Sequence, residues 1–167
     1  MPKFTEPNYN IKSLTIRNAH VRYRNFGGGR YGREITLWID DPEIAQEMAN
    51  DGWPVRTIIP EDPSYDPRYQ MRVAISFRDR EGRMFDENDT RLPHVYMCTR
   101  KRKHELNEDT IARLDRAELD KVDLTIRARW WENEEGWHIK AFLSRLYATI
   151  CEDDLDAEYA EQECPEE

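Results

Sequence analysis

Residues 122–150 read as one long antiparallel hairpin, and no other feature limits the fold as much. In the segment from Val122 to Trp131, residues Val122, Leu124, Ile126, Ala128 and Trp130 alternate with Asp123, Thr125, Arg127, Arg129 and Trp131. A period of two sends these sets to opposite faces of a strand, one apolar and one polar. The turn Glu132-Asn133-Glu134-Glu135-Gly136 follows, and a second strand returns over 137–150. An isolated hairpin is marginal in water, so this one needs further strands against its apolar face.

The rest of the chain supplies them. Alternation predicts strands over 14–26, with a bulge near Asn18, and over 34–40, where Ile35, Leu37 and Ile39 share a face and Thr36 and Trp38 take the other. Further strands are predicted over 55–59, 69–78 and 94–100. Gly27, Gly28, Gly29 and Gly32 suit a hairpin loop between the first two. Asp41 and Pro42 are an N-cap and first-turn pair that opens a helix closed by Gly52. Asn107 is expected to cap a second helix with Ile111, Leu114 and Leu119 inward. The expected fold is mainly β with two short helices, an OB-like antiparallel β-barrel with long hairpins. Residues 1–11 are expected to be a flexible arm, 12–151 the folded domain and 152–167 a disordered acidic tail.

Charge separates the last two parts. The net charge is −9, from 34 acidic and 25 basic residues. Residues 152–167 hold nine of the acids and no base, which leaves a neutral body of 25 acids and 25 bases. A block of like charge repels itself, stays solvated and serves as an interaction tail. Glu152, Asp153, Asp154, Glu166 and Glu167 are its candidate partner-binding residues.

The body carries nucleic-acid chemistry in local clusters. Single-strand binders pair aromatic stacking surfaces with basic groups that follow the phosphates. Arg127, Arg129 and Trp131 lie on the polar face of the last hairpin. Trp38 points away from the core face of its strand. Arg22, Arg24, Phe26, Arg30, Tyr31 and Arg33 interleave bases with aromatics around the glycine loop. Arg100, Lys101, Arg102 and Lys103 form a basic run suited to phosphate contacts.

Other chemistries find little support. His20, His94, His104 and His138 lack metal-ligand spacing, and no GxSxG, HExxH or paired Cys-His signature occurs. Cys98, Cys151 and Cys164 are too scattered for a disulfide framework or zinc knuckle. No cofactor, metal or catalytic residue is expected. No apolar run approaches a membrane span, and no secretory leader is visible.

Longer segments carry a resemblance. Tyr23-Arg24-Asn25-Phe26 before the glycine loop, Asp40-Asp41-Pro42-Glu43-Ile44-Ala45, and Asn50-Asp51-Gly52-Trp53-Pro54-Val55-Arg56 resemble phage-encoded single-stranded-DNA-binding proteins of the OB-fold type. Val122-Asp123-Leu124-Thr125-Ile126-Arg127, Ile139-Lys140-Ala141-Phe142-Leu143 and Tyr147-Ala148-Thr149-Ile150 agree. The resemblance implies a non-enzymatic protein that coats single-stranded DNA without sequence preference in phage replication or recombination, in the cytoplasm of the infected host. The acidic tail would recruit replication or recombination proteins or compete with DNA. A homo-oligomer is compatible with the sequence. The alternative is an acidic phage-encoded inhibitor, a DNA mimic of the anti-CRISPR kind, that binds a host protein. A mimic should spread its acids over the folded surface, whereas here the excess lies in the tail.

Overall fold

The structure is a computed structural model that describes residues 4–29 and 32–151. Among the described residues, nine strands and two helices follow one another as β1 (Ser13–Ile16), β2 (His20–Asn25), β3 (Arg33–Ile39), α1 (Pro42–Asp51), β4 (Arg56–Ile58), β5 (Arg68–Ile75), β6 (His94–Cys98), β7 (Lys103–Leu106), α2 (Arg113–Arg116), β8 (Leu119–Asn133) and β9 (Gly136–Ile150). The sheet runs β1-β8-β9-β5-β3-β2, with β4 on β5 and the β6–β7 pair on β9.

Two features correct the expected antiparallel barrel. The hydrogen-bonded path is open, with β1 and β2 at its two ends. β9 also runs parallel to β5, at Ala74–Phe142, and to β6. A local irregularity accompanies each. Asn18 sits at a φ of 51°, in the left-handed region where Asn is tolerated, and breaks the first strand in two. The first half pairs with β8 and the second with β3. The Ala19 amide still donates to the Val122 carbonyl at 2.7 Å, so the two ends lie close. In β9 the register slips at Ser144, between the pairs Ile126–Leu143 and Thr125–Arg145. A bulge bends its strand, and here β9 passes from β5 to β6 at this point. The same slip keeps Phe142 and Arg145 on one face, although they are three positions apart in sequence.

The hairpin alternates as its sequence requires. Val122, Leu124 and Ile126 are buried together with Ile139, Ala141, Leu143, Leu146 and Ala148. β3 and β5 add Ile35, Leu37, Met71 and Val73 to the same core. α1 begins and ends at its expected signals. The Asp41 carboxylate accepts the Glu43 amide at 2.9 Å, Pro42 opens the first turn, and Gly52 closes the helix at a φ of 108°. Ala45 and Met48 are the buried side of α1.

The second helix differs from expectation. The Asn107 side chain accepts the amides of Asp109 and Thr110, at 2.9 and 3.1 Å, and so builds a turn rather than a helix cap. The α-helix proper is only the four residues of α2, and Leu119 opens β8. The basic run lies at the tip of the β6–β7 hairpin, residues 100–102 in its turn and Lys103 opening β7, where the Thr99 amide donates to the Arg102 carbonyl at 2.8 Å. No helix among the described residues is long and apolar enough to cross a membrane.

Candidate nucleic-acid interface

The outward face of the β8–β9 hairpin is a ladder of basic and aromatic pairs. Trp131 lies opposite His138, Arg129 opposite Lys140, and Arg127 opposite Phe142. The Trp131 and His138 rings are 4.8 Å apart at their centroids, and Trp131 remains 42% exposed. The Arg127 guanidinium lies 4.6 Å over the Phe142 ring, and the Lys140 ammonium 5.2 Å from it. Cations over aromatic faces are held by the ring quadrupole, so this row is organised in advance.

A cleft of about 630 Å³ opens beside the ladder. Its far wall is the loop that follows β5. There Arg78 bridges to Met84, and the Phe85 amide donates to the Phe77 carbonyl at 3.0 Å. Gly82 makes the turn at a φ of 83°. This small hairpin brings Arg78, Arg80 and Arg83 to the cleft that Arg127 and Arg129 also line, and the turn after it adds Arg91. Asp79 and Glu81 are the acids of the lining.

The six arginines are not equivalent. Arg78 grips Glu108 through Nε and a terminal nitrogen, at 2.9 and 2.7 Å. Arg91 holds Asp89 in the same two-pronged way, at 3.0 and 2.8 Å, and lies 4.5 Å over Phe85. The Arg91 side-chain hydrogen bonds come first among the causes that bring the Asp89 carboxyl down to about 2. Arg83 lies 3.4 Å from Asp79. Among the described residues Arg80, Arg127 and Arg129 make no ion pair. Arg127 is half-buried and its Nε has no hydrogen-bond partner. Burial pushes its pKa down, and Arg129 and Arg91 add to that, against the pull of Asp89. A buried cation with an unmet donor, crowded by like charge, is a site for an incoming anion.

The remaining sequence candidates are dispersed. Phe26 is 1% exposed and belongs to the core. Arg24 spends one terminal nitrogen on the carbonyls of Leu114 and Ala117, at 2.8 and 2.7 Å, and ties β2 to α2. Arg33 reaches the Glu108 carbonyl at 3.2 Å and lies over Phe77. Trp38 is half-buried beneath two guanidiniums, Arg22 at 4.7 Å and Arg68 at 4.3 Å, with His20 edge-on. Lys103 lies 4.7 Å from the Tyr96 ring, while Arg100, Lys101 and Arg102 occupy the β6–β7 turn region. Arg30, Tyr31 and the tail residues Glu152, Asp153, Asp154, Glu166 and Glu167 lie outside the described residues.

Among the described sequence candidates, Arg127, Arg129 and Trp131 stand on the ladder beside the cleft. The partners that sequence reasoning missed are Phe142, Lys140 and the arginines of the loop after β5. Their signal was four arginines and a phenylalanine within residues 78–91, in a segment with no period.

Comparison with known proteins follows from this geometry. Residues 5–167 match the family described as "Putative phage ssDNA-binding domain". No curated protein matches the chain. Among solved structures, the single-stranded DNA-binding protein from bacteriophage Enc34 is similar with a TM-score of 0.51 at 13% identity, over 92% of this chain and 92% of that one. A C-terminal truncation of the same phage protein gives 0.51 at 14% identity, over 84% of this chain and 86% of the other. At these identities the likeness is one of fold.

Proposed function

The chain belongs to the phage single-stranded-DNA-binding domain family, and we propose that it binds single-stranded DNA in the cleft between β8–β9 and the loop after β5, without base-sequence preference and without catalysis. One observation carries this reading: an unpaired, half-buried Arg127 over Phe142, in a row with Arg129, Lys140 and exposed Trp131. Phosphates would follow the arginines, and bases would stack on Trp131. Every base has a π-face, which is why such a surface tolerates any sequence. The strand order, with β5 and β9 parallel and Ala19 bonded to β8, supports an OB-type arrangement of the sheet around its core. A role in phage replication or recombination fits the family.

The acidic tail would act by charge. It would compete with phosphates for the arginine cleft and become available to replication or recombination proteins once DNA displaces it. Titration of the whole chain with oligo-dT, read by tryptophan quenching at several salt concentrations, tests the reading. Quenching with a salt-dependent affinity is expected, and its absence at low salt overturns the proposal. The same titration on a chain ending at Ile150 should give tighter binding, and unchanged affinity removes the competition.

A further inference from the structure

The outward face of β8 and β9 continues past Arg127 to a second, smaller cleft. It measures about 230 Å³ and lies between β1, β8 and β9. Tyr147 forms one wall, and Arg145 and Arg17 stand at its rim. Thr15 and Thr125 share a hydroxyl hydrogen bond of 3.0 Å in the same lining. Asp123 is the acid there, and it is engaged, accepting the Asn18 amide at 2.8 Å and lying 3.6 Å from Lys121. Arg17 and Arg145 are exposed and make no ion pair among the described residues.

Tyr147 is braced as a stacking surface would need to be. Its ring lies against Tyr96 of the parallel neighbour strand, with centroids 4.9 Å apart and planes within 12°. The Lys103 ammonium lies within reach of both rings, 4.7 Å from Tyr96 and 5.8 Å from Tyr147. An Arg145 terminal nitrogen donates to the Tyr147 hydroxyl at 3.3 Å and fixes the phenol relative to the guanidinium. A side chain held by packing and hydrogen bonds loses little freedom when a ligand arrives. The bulge at Ser144 puts Arg145 and Tyr147 on the same side of the sheet as Phe142 and Lys140. Thr125 precedes Arg127 by two residues on β8, so the two clefts are about 7 Å apart along the chain direction.

We propose that this cleft is a second nucleotide subsite, in which one base stacks on Tyr147 and its phosphate is held by Arg17 and Arg145. It rests on the reading of the larger arginine cleft as a DNA site, and extends the track of the strand from the hairpin tip toward the β6–β7 pair.

The test titrates the full chain with a 16-nucleotide oligo-dT, about the upper site size of one such domain. Tyr147→Leu should weaken binding about tenfold, the scale of one lost base stack. Tyr147→Phe, which keeps the ring, should stay near the parent. Arg17→Ala removes an exposed side chain, should leave the fold intact, and should lower the salt slope by about 0.7, the value for one phosphate contact on a single strand. Tryptophan quenching at saturation should be unchanged in all three, because Trp131 still meets DNA. Parent-like affinity in both Tyr147→Leu and Arg17→Ala overturns the subsite while leaving the larger cleft standing. Equal losses in Tyr147→Phe and Tyr147→Leu overturn base stacking. A parent protein that binds no oligonucleotide overturns the reading of the larger cleft instead.

Discussion

Arg127 and Phe142 face each other across β8 and β9, with the guanidinium 4.6 Å above the ring. The ring holds the cation in place, while Nε stays without a hydrogen-bond partner. A phosphate would supply what that nitrogen lacks. Arg127→Ala should weaken oligo-dT binding at moderate salt and lower the slope of log affinity against log salt by about 0.7. An unchanged slope in the salt series would show that Arg127 meets no phosphate.

Trp131 should report binding directly. It is 42% exposed and rests on His138. Trp131→Ala should abolish most of the DNA-induced fluorescence change and reduce affinity by about 1–3 kcal/mol. The other described indoles are more covered, with Trp53 in the core and Trp38 under two arginines. Full quenching in the variant would place the DNA elsewhere.

Arg24 should behave in the opposite way. Its two bonds to the carbonyls of Leu114 and Ala117 are structural. Arg24→Ala leaves both carbonyls short of a donor in a part-buried region, which costs about 2 kcal/mol. Urea denaturation should show the lower midpoint. The salt slope of DNA binding, measured where the variant is folded, should not move.

These two arginines show where sequence stops being informative. The alternation in 122–131 gives Arg127 its outward face, because a strand has only two faces to choose from. Arg24 also sits in an alternating strand, yet its partners lie 90 and 93 residues away, and no local pattern encodes them. Phe26, which interleaves with arginines before three glycines, is instead a core residue just past β2, its amide held by the Asp115 carboxylate 89 residues away. Asn107 offered a true local signal that both a turn and a helix can use, and the turn took it. The arginine cleft arises where the loop after β5 meets β8, so residues 79–92 showed its charges without its shape. The helix α1 was fully legible, since Asp41, Pro42 and Gly52 act within a few residues of themselves.

Acid should loosen one wall of the cleft. Glu108 has its carboxyl pKa lowered, first by the hydrogen bonds from Arg78, with burial opposing and the Arg78 and Arg33 charges assisting. A group lowered on folding stabilises the protein above its ordinary value near 4.5, and that contribution fades as pH falls through the lower folded value. Glu108→Gln should therefore lower stability at pH 7 by about 1 kcal/mol or less, since Arg78 is half exposed. The difference between variant and parent should shrink below pH 4.5. A constant gap in urea denaturation across that range would mean that the pair contributes through packing alone.

Gly52 connects the end of α1 to the hairpin that bears the site. Its φ of 108° is a conformation that side chains rarely adopt, and a Cβ there would sit 3.0 Å from the Trp130 ring and 3.2 Å from Ile139 and Phe4. Trp130 packs against the core while its neighbour Trp131 stands exposed on the outward face, so pressure on one indole tilts the strand that positions the other. Phe4 braces the same region, edge-on to Trp130 at 5.4 Å, and its carbonyl accepts the Trp137 amide at 2.8 Å. Left-handed strain costs about 1–2 kcal/mol for a residue with a Cβ, and overpacking adds about 1–3. Gly52→Ala should lower stability by about 3 kcal/mol, seen as a lower urea midpoint with little change in slope. It should also weaken oligo-dT binding at temperatures where the chain is folded, because Trp131 moves with Trp130. Arg24→Ala destabilises without that second effect, so the pair of variants separates loss of fold from displacement of the hairpin.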